Sequence, residues 1–297
     1  MTAVARQLPV RVGGRPNDAI AGRLDEIAGL LSAQNANPYR VGAYRRAAEE
    51  LRRLRVPVSE IVATQGLAGL DRLRFIGPSL ARTIREIVIH GYSPMLARLR
   101  GENDPVHLFM SVPGIGPALA GRLHDELGLE TLQQLEAAAF DGRLQQIAGF
   151  GPKRLDGIRA SLAQRLGRVP AEHGAPADHP APSVGELLDV DAEYLRRAHA
   201  GDLPRIAPRR FNPDAVAWLP ILHTERGPRH YTALFSNTAR AHQLARTDDW
   251  VVVYCDDGPR EHQWTVITST FGPLLGKRIV RGREAECAAF YGLPLDA

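Results

Sequence analysis

The sequence predicts an all-helical first half followed by a smaller domain of helix and strand, an α + (α+β) class chain. Three observations carry this. Apolar residues recur at helical spacing through the first 168 residues. The stretch PAEHGAPADHPAPS, ending at Ser183, has no apolar periodicity and offers nothing to pack. After it come short runs rich in β-branched and aromatic residues, separated by Gly, Pro or Asp. The expected organisation is therefore a helical domain over 1–168, a linker over 169–183 and an α+β domain over 184–297.

Taken in chain order, Ile20, Leu24, Ile27 and Leu31 mark the first helix, with Asn17 as its expected cap. Tyr44, Ala48 and Leu51 mark the second. Beyond the linker, VGELLDVDAEYLRRAHAG (184–201) reads as a helix. AWLPILH (217–223), HYTALFS (230–236), DWVVVYC (249–255) and HQWTVIT (262–268) read as strands. SNTARAHQLART (236–247) reads as a helix between two of them, capped by Ser236 or Asn237.

Composition sets outer bounds. The 297 residues are 44% apolar and 24% charged, as in an ordinary globular protein with room for two cores. No stretch approaches the roughly 20 apolar residues that cross a bilayer, and MTAVARQLPVRVGG lacks the apolar run of a secretory signal. The expectation is a cytoplasmic protein that does not enter membranes. Cys255 and Cys287 form no CxxC, so neither a disulfide framework nor a zinc knuckle is indicated. The net charge of +4 is uneven: +7 over residues 1–170, −4 over 171–200 and +1 over 201–297. A polyanion partner for the first part fits this balance, and so does a mixed surface. Lys153 and Lys277 are the only lysines, so 35 of the 37 basic residues are arginine.

One corner is built three times. LRFIGPSLARTI (73–84), VPGIGPALAGRL (112–123) and IAGFGPKRLDGI (147–158) share an apolar residue, a glycine and a proline in that order. Proline directly after the glycine has its φ preset for a first helical turn and lacks an N–H that would go unpaired there. Each glycine thus closes a loop and each proline opens a helix. The apolar residue is expected to tuck into the joint, leaving glycine backbone at an exposed tip. Amides at a helix start carry partial positive charge, and a missing side chain lets a phosphate oxygen approach. Contacts of this kind hold a sugar-phosphate backbone without reading bases. A glycine between helices is also often only a terminator, but one matched three times calls for a shared reason. A dinucleotide-binding loop does not fit VHLFMSVPGIGPALA, where Leu119 takes the place of the third small residue and no βαβ alternation surrounds it.

Residues from about 16 to 166 resemble the N-terminal part of family X DNA polymerases, a lyase-type helical domain followed by helix-hairpin-helix motifs. NPYRVGAYRRAAEEL (37–51), LRFIGPSLARTIREIVIHG (73–91), VPGIGPALAGRLHDELGLETLQQLEAAA (112–139) and GRLQQIAGFGPKRLDGI (142–158) carry the resemblance, which covers about half the chain. It implies DNA, gripped by its phosphate backbone, as the partner. It also implies contacts from the hairpin residues Gly77, Ser79, Gly114, Gly116, Gly149, Gly151, Lys153 and Arg154. Tyr39, Arg40, Tyr44, Arg45 and Arg46 lie where the family forms a 5′-phosphate pocket. A solvated basic helix with Tyr44 in the core accounts for the same residues. Phe75 stands where the other two corners have Gly114 and Gly149, so the first hairpin is expected to bind less well.

The family's catalytic parts are not matched. Nothing after residue 166 resembles the palm domain, and Asp189 and Asp191, an Asp-x-Asp inside a helical pattern, read as a solvated helix face. The lyase reaction needs a lysine that loses its proton and attacks carbon. The resemblance places that position at Thr83, and neighbouring Arg82 and Arg85 stay protonated. Neither cofactor nor metal is expected.

In the second domain His223, Glu225, His230 and His242, or Asp248, Asp249, Asp256 and Asp257, are candidates for a metal or nuclease site without a recognised spacing. Trp218, Tyr231, Trp250 and Trp264 read as core more readily than as a base-stacking platform, and Arg278, Arg281 and Arg283 as a basic edge. Two functions stay open on sequence. One is sequence-tolerant binding of gapped, broken or branched DNA in repair or recombination, with a partner protein or a strand meeting the C-terminal domain. The other is a repair nuclease or lyase with its active site in residues 201–297.

Overall fold

A computed structural model describes residues 15–102, 105–165, 181–258 and 261–294. Most of the expected linker therefore lies outside the described residues. The chain forms two compact units, residues 1–102 with 256–260, and residues 103–255 with 261–297. This grouping places the second and third corners in one unit with the strands, where composition alone separates them.

The first unit is helical: α1 (Asp18–Ala33), α2 (Pro38–Arg53), α3 (Val58–Asp71), α4 (Pro78–His90) and α5 (Pro94–Arg100). Ile20, Leu24, Ile27 and Leu31 of α1 are buried, as are Tyr44, Ala48 and Leu51 of α2. Asn17 precedes α1, yet its side chain makes no cap hydrogen bond to that helix. Instead its amide donates to Leu51 O (3.1 Å) and Val56 O (3.0 Å) and its oxygen accepts from Val58 N (2.7 Å). The expected cap is a buried bracket that closes the turn from α2 to α3.

In the second unit, α6 (Pro105–Met110), α7 (Pro117–Asp125), α8 (Leu132–Phe140), a 3-10 turn (Arg143–Gln146) and α9 (Pro152–Arg165) share one apolar core running from Phe109 to Leu162. Thr131 and Gln134 form a reciprocal capping box at the start of α8. The strands β1 (Arg205–Ile206), β2 (Leu219–Arg226), β3 (Arg229–Phe235), β4 (Val251–Asp256), β5 (Glu261–Thr268) and β6 (Arg278–Val280) make a sheet in sequence order. The β1/β2, β2/β3 and β5/β6 pairs are antiparallel. The helix α10 (Val184–Ala200) lies against the sheet. Its buried Tyr194 accepts from Phe235 N (2.8 Å) and donates to Pro220 O (3.1 Å). Glu130, buried before α8, joins the hairpin helices to the sheet: it accepts from Arg210 and from Ala239 N at the start of α11 (Ala239–Gln243). The last helix is α12 (Glu284–Tyr291).

Several local expectations change. The cap of α11 is Thr238, whose hydroxyl accepts from Ala241 N (3.2 Å), and the helix ends at Gln243. Trp218 and Trp250 are only half-buried, while Tyr231 and Trp264 are core. Asp191 does not belong to a solvated face: it is 1% exposed and both its oxygens accept from one edge of the Arg278 guanidinium, Nη2 at 2.6 Å and Nε at 2.9 Å. Arg278 also donates to Asp249 O (2.8 Å), so it is an inner clamp rather than part of a basic edge.

Burial raises the Asp191 pKa, and Arg278 pulls it back down only in part. Stability held by such a group is fully present below the unfolded pKa and is lost as pH rises through the folded one. We expect Arg278→Ala to cost about 3 kcal/mol at neutral pH, because it strands a buried carboxylate. Urea denaturation should show the deficit shrinking as pH falls and Asp191 takes up a proton.

Candidate nucleic-acid interface

The three corners have one geometry. Ile76, Ile115 and Phe150 each donate their amide three residues back, to Leu73, Val112 and Ile147 at 3.2, 3.1 and 3.3 Å. The residue just before each is in the left-handed region: Phe75 (φ 64), Gly114 (φ 89) and Gly149 (φ 103). Turns of this form need positive φ at their third residue, which glycine adopts freely. The apolar residues are buried, as expected. Past them, Gly77, Gly116 and Gly151 are exposed, and their carbonyls accept the first helical bonds from Ala81, Ala120 and Leu155.

These last three glycines answer to nothing inside the protein. Gly77 (φ −92, ψ −179) and Gly116 (φ −93, ψ 176) are extended, a conformation open to any residue. A Cβ added at Gly77, Gly116 or Gly151 would meet no atom within 4 Å. No side chain caps α4 or α7, and the amides of a first helical turn lack helix partners and carry partial positive charge. The elbows therefore present bare, electropositive backbone to whatever approaches.

Cationic side chains flank the second and third elbows. Lys153 and Arg154 are exposed in the first turn of α9. Arg154 donates to Gly149 O and passes beside Gly114, so it stands between the two elbows. Arg122, not singled out from sequence, donates to Ala148 O at 2.5 Å and braces the same loop.

In the first unit, α2 and the start of α4 build a second kind of anion grip. Arg40 and Arg82 reach Asp256 at 3.2 and 3.1 Å, and the Ser79 hydroxyl donates to it at 2.6 Å. Asp256 is 5% exposed. Burial opposes its ionisation, but Arg82 and Arg40, with Ser79 and the Gly258 amide, outweigh burial and hold the carboxyl below its usual range. Of the residues that the resemblance puts at a 5′-phosphate pocket, Arg40 lines this grip, and Ser79, expected as a hairpin contact, joins it. Tyr44 lies beneath them as core, its hydroxyl on Met95 Sδ (3.1 Å), its pKa raised by burial against the pull of Arg40. Tyr39 is 86% exposed, and Arg45 and Arg46 also face outward. Arg82 was read from sequence only as a failed nucleophile; its position one turn after Ser79 on the same face of α4 was the available signal. Thr83 is buried and donates to Ser79 O at 3.1 Å.

The second domain's titratable candidates are dispersed. His223 meets Thr232, His230 pairs with Glu225 at 2.7 Å, and His242 meets Asn237 at 2.6 Å. Asp249 accepts from Thr268. Among the described residues no three His, Cys, Asp or Glu side chains gather as metal ligands would. Nor, among them, is any helix long and apolar enough to cross a membrane.

Residues 15–93 match the model of a helix-hairpin-helix domain, and residues 106–164 match that of a SAM-like helix-hairpin-helix tandem. The chain is 29% identical over 184 residues to the DNA polymerase/3′-5′ exonuclease PolX of Bacillus subtilis (strain 168). The match takes in 61% of this chain and 31% of that protein, so the chain spans about a third of the curated relative's length. The N-terminal region is thus like that of X-family polymerases, and these matches support DNA binding in repair.

The conformations sort the glycines by role. Gly116→Ala should change stability by less than about 0.5 kcal/mol, since nothing strains or clashes. Gly149→Ala, at φ 103 with Leu119 3.1 Å from the new carbon, should cost roughly 1–3 kcal/mol. Thermal melts of the two variants check the contrast.

Proposed function

We propose that this chain binds DNA through its sugar-phosphate backbone, without base readout, at gapped, broken or branched sites in repair or recombination. The observation that supports it most is the set of three exposed elbows whose glycines serve no internal need. In this reading Gly114, Gly116, Gly149 and Gly151 offer amides to one strand, and Lys153 and Arg154 add charge beside them. Gly77 and Ser79 do the same at the first corner, with Arg40 one helix away and Tyr39 and Arg45 on the outer face of α2. Tyr44 contributes by holding Arg40 from below. Main-chain amides and guanidinium forks read charge and spacing rather than sequence. Binding is accordingly salt-sensitive and indifferent to base composition.

Gly116→Glu and Gly151→Glu place a carboxylate where phosphate would sit. Fluorescence anisotropy should show affinity falling roughly tenfold or more for each, by the same factor on every sequence, with helicity by circular dichroism unchanged. Affinity equal to the parent's on all duplexes would remove the elbows from the account. A gapped duplex bound no better than an intact one would remove the preference for damaged DNA.

A further inference from the structure

The loop between β5 and β6, residues 269–277, is an ordered tip. Ser269 N donates to Lys277 O and Gly276 N to Ser269 O, both at 2.9 Å, which carries the pairing of the two strands outward. Leu275 N donates to Gly272 O (3.0 Å), Lys277 N to Leu274 O (2.9 Å) and the Ser269 hydroxyl to Phe271 O (3.1 Å). Leu274 is buried and anchors the loop, yet Phe271 is 78% and Leu275 65% exposed. A tied backbone therefore holds two large apolar side chains in water. We propose that Phe271, with Leu275 in the same tip, is a wedge that packs against a bare base-pair face of DNA at the margin of a gap or at an end. The inference rests on the DNA-binding reading above and names the feature by which an opened duplex is told from an intact one.

Two observations commit the tip to DNA, and the chemistry of stacking commits it to an opening. From His262 to Arg283 the chain carries four basic residues and no Asp or Glu. Arg278 is neutralised by Asp191 and Asp249, and Arg283 by Glu286. Lys277 and Arg281 are exposed, lie over the rings of Tyr291 and Trp250 at 5.5 and 5.9 Å, and meet no carboxylate among the described residues. Apolar side chains with unneutralised cations beside them suit bases flanked by phosphates. The second observation is continuity: β5 packs against α9, the helix that opens at the third elbow and carries Lys153 and Arg154. Tip and elbow belong to one compact unit, so both can meet the same DNA molecule without rearrangement between units. Insertion into an intact duplex must first pull two stacked pairs apart, whereas a gap margin or an end already shows a base face to water. Phenylalanine stacks on any base, because every base has a π face, so this contact adds no sequence preference.

The test compares the full-length protein with its Phe271→Ala and Phe271→Trp variants, by fluorescence anisotropy, on a gapped duplex and on the same duplex intact. Phe271→Ala should lose roughly tenfold in affinity for the gapped duplex and less than about twofold for the intact one. The plot of log Kd against log salt should keep its slope, because no phosphate contact is removed. Phe271→Trp should retain the parent's preference for the gap, and its added emission should be quenched on the gapped duplex only. The proposal is overturned by a parent that binds both duplexes alike, by Phe271→Ala matching the parent on the gapped duplex, by an equal loss on both, or by tryptophan emission that the gap leaves unchanged. In each of those cases a loss of binding by Gly116→Glu keeps the DNA-binding reading intact; if no form of the protein binds either duplex, both readings fall. Vesicles of phosphatidylglycerol are the last arm. Co-sedimentation that Phe271→Ala abolishes, with DNA binding unchanged, assigns the tip to a lipid surface and overturns the proposal.

Discussion

One buried apolar side chain sets each elbow. Ile76, Ile115 and Phe150 are buried while the residues on either side of them lie in the open. Burying such a side chain stabilises by about 1.5–3 kcal/mol. That is enough to hold the residue before it in a left-handed turn and the residue after it extended into a helix. Hydrophobic burial is converted into main-chain orientation. Because the amides are held in place before any ligand arrives, contact with a phosphate costs little ordering.

The first corner uses this device differently. Phe75 occupies a left-handed position with a full side chain, a conformation that costs roughly 1–2 kcal/mol in an L-residue. Its ring receives the guanidinium of Arg74 at 4.6 Å and of Arg46 at 5.9 Å. The same helix start then carries Ser79 and Arg82, whose side chains hold the Asp256 carboxylate. With 35 of 37 cations arginine, the forked donors for such a grip are abundant. This corner keeps its open elbow at Gly77 and adds a side-chain cradle beside it.

Much of this was legible because the rules that build it are local. Helical periodicity marked α1 and α2, β-branched and aromatic residues marked β2 to β5, and the Gly-Pro step marked the start of α4, α7 and α9. What sequence hid is what tertiary structure brings from far along the chain. Asp256 meets Arg82 across 174 residues, Glu130 meets Ala239 across 109, and Asp191 meets Arg278 across 87. No spacing rule links such pairs, so Asp191 read as solvated and Asp256 as a member of an acidic cluster. Asn17 failed for a related reason: its amide had local work available at the helix start, but three buried backbone groups of the α2–α3 turn needed a partner more.

The internal repeat permits one more step. Folding alone demands glycine where φ is positive and is indifferent to it where the backbone is extended and the space is open. Across the three corners the opposite pattern holds. At the left-handed position, where glycine is wanted, one copy has Phe75. Two residues on, where φ is not positive and an added Cβ would meet nothing within 4 Å, all three copies keep glycine: Gly77, Gly116 and Gly151. In the proposed reading, a glycine that the fold does not require answers to something outside it, which presses against the bare backbone and has no room for a side chain. Close approach by an anion to amides at a helix start supplies that requirement, and a terminator role does not, because a terminator needs its glycine in the left-handed position and not beside it.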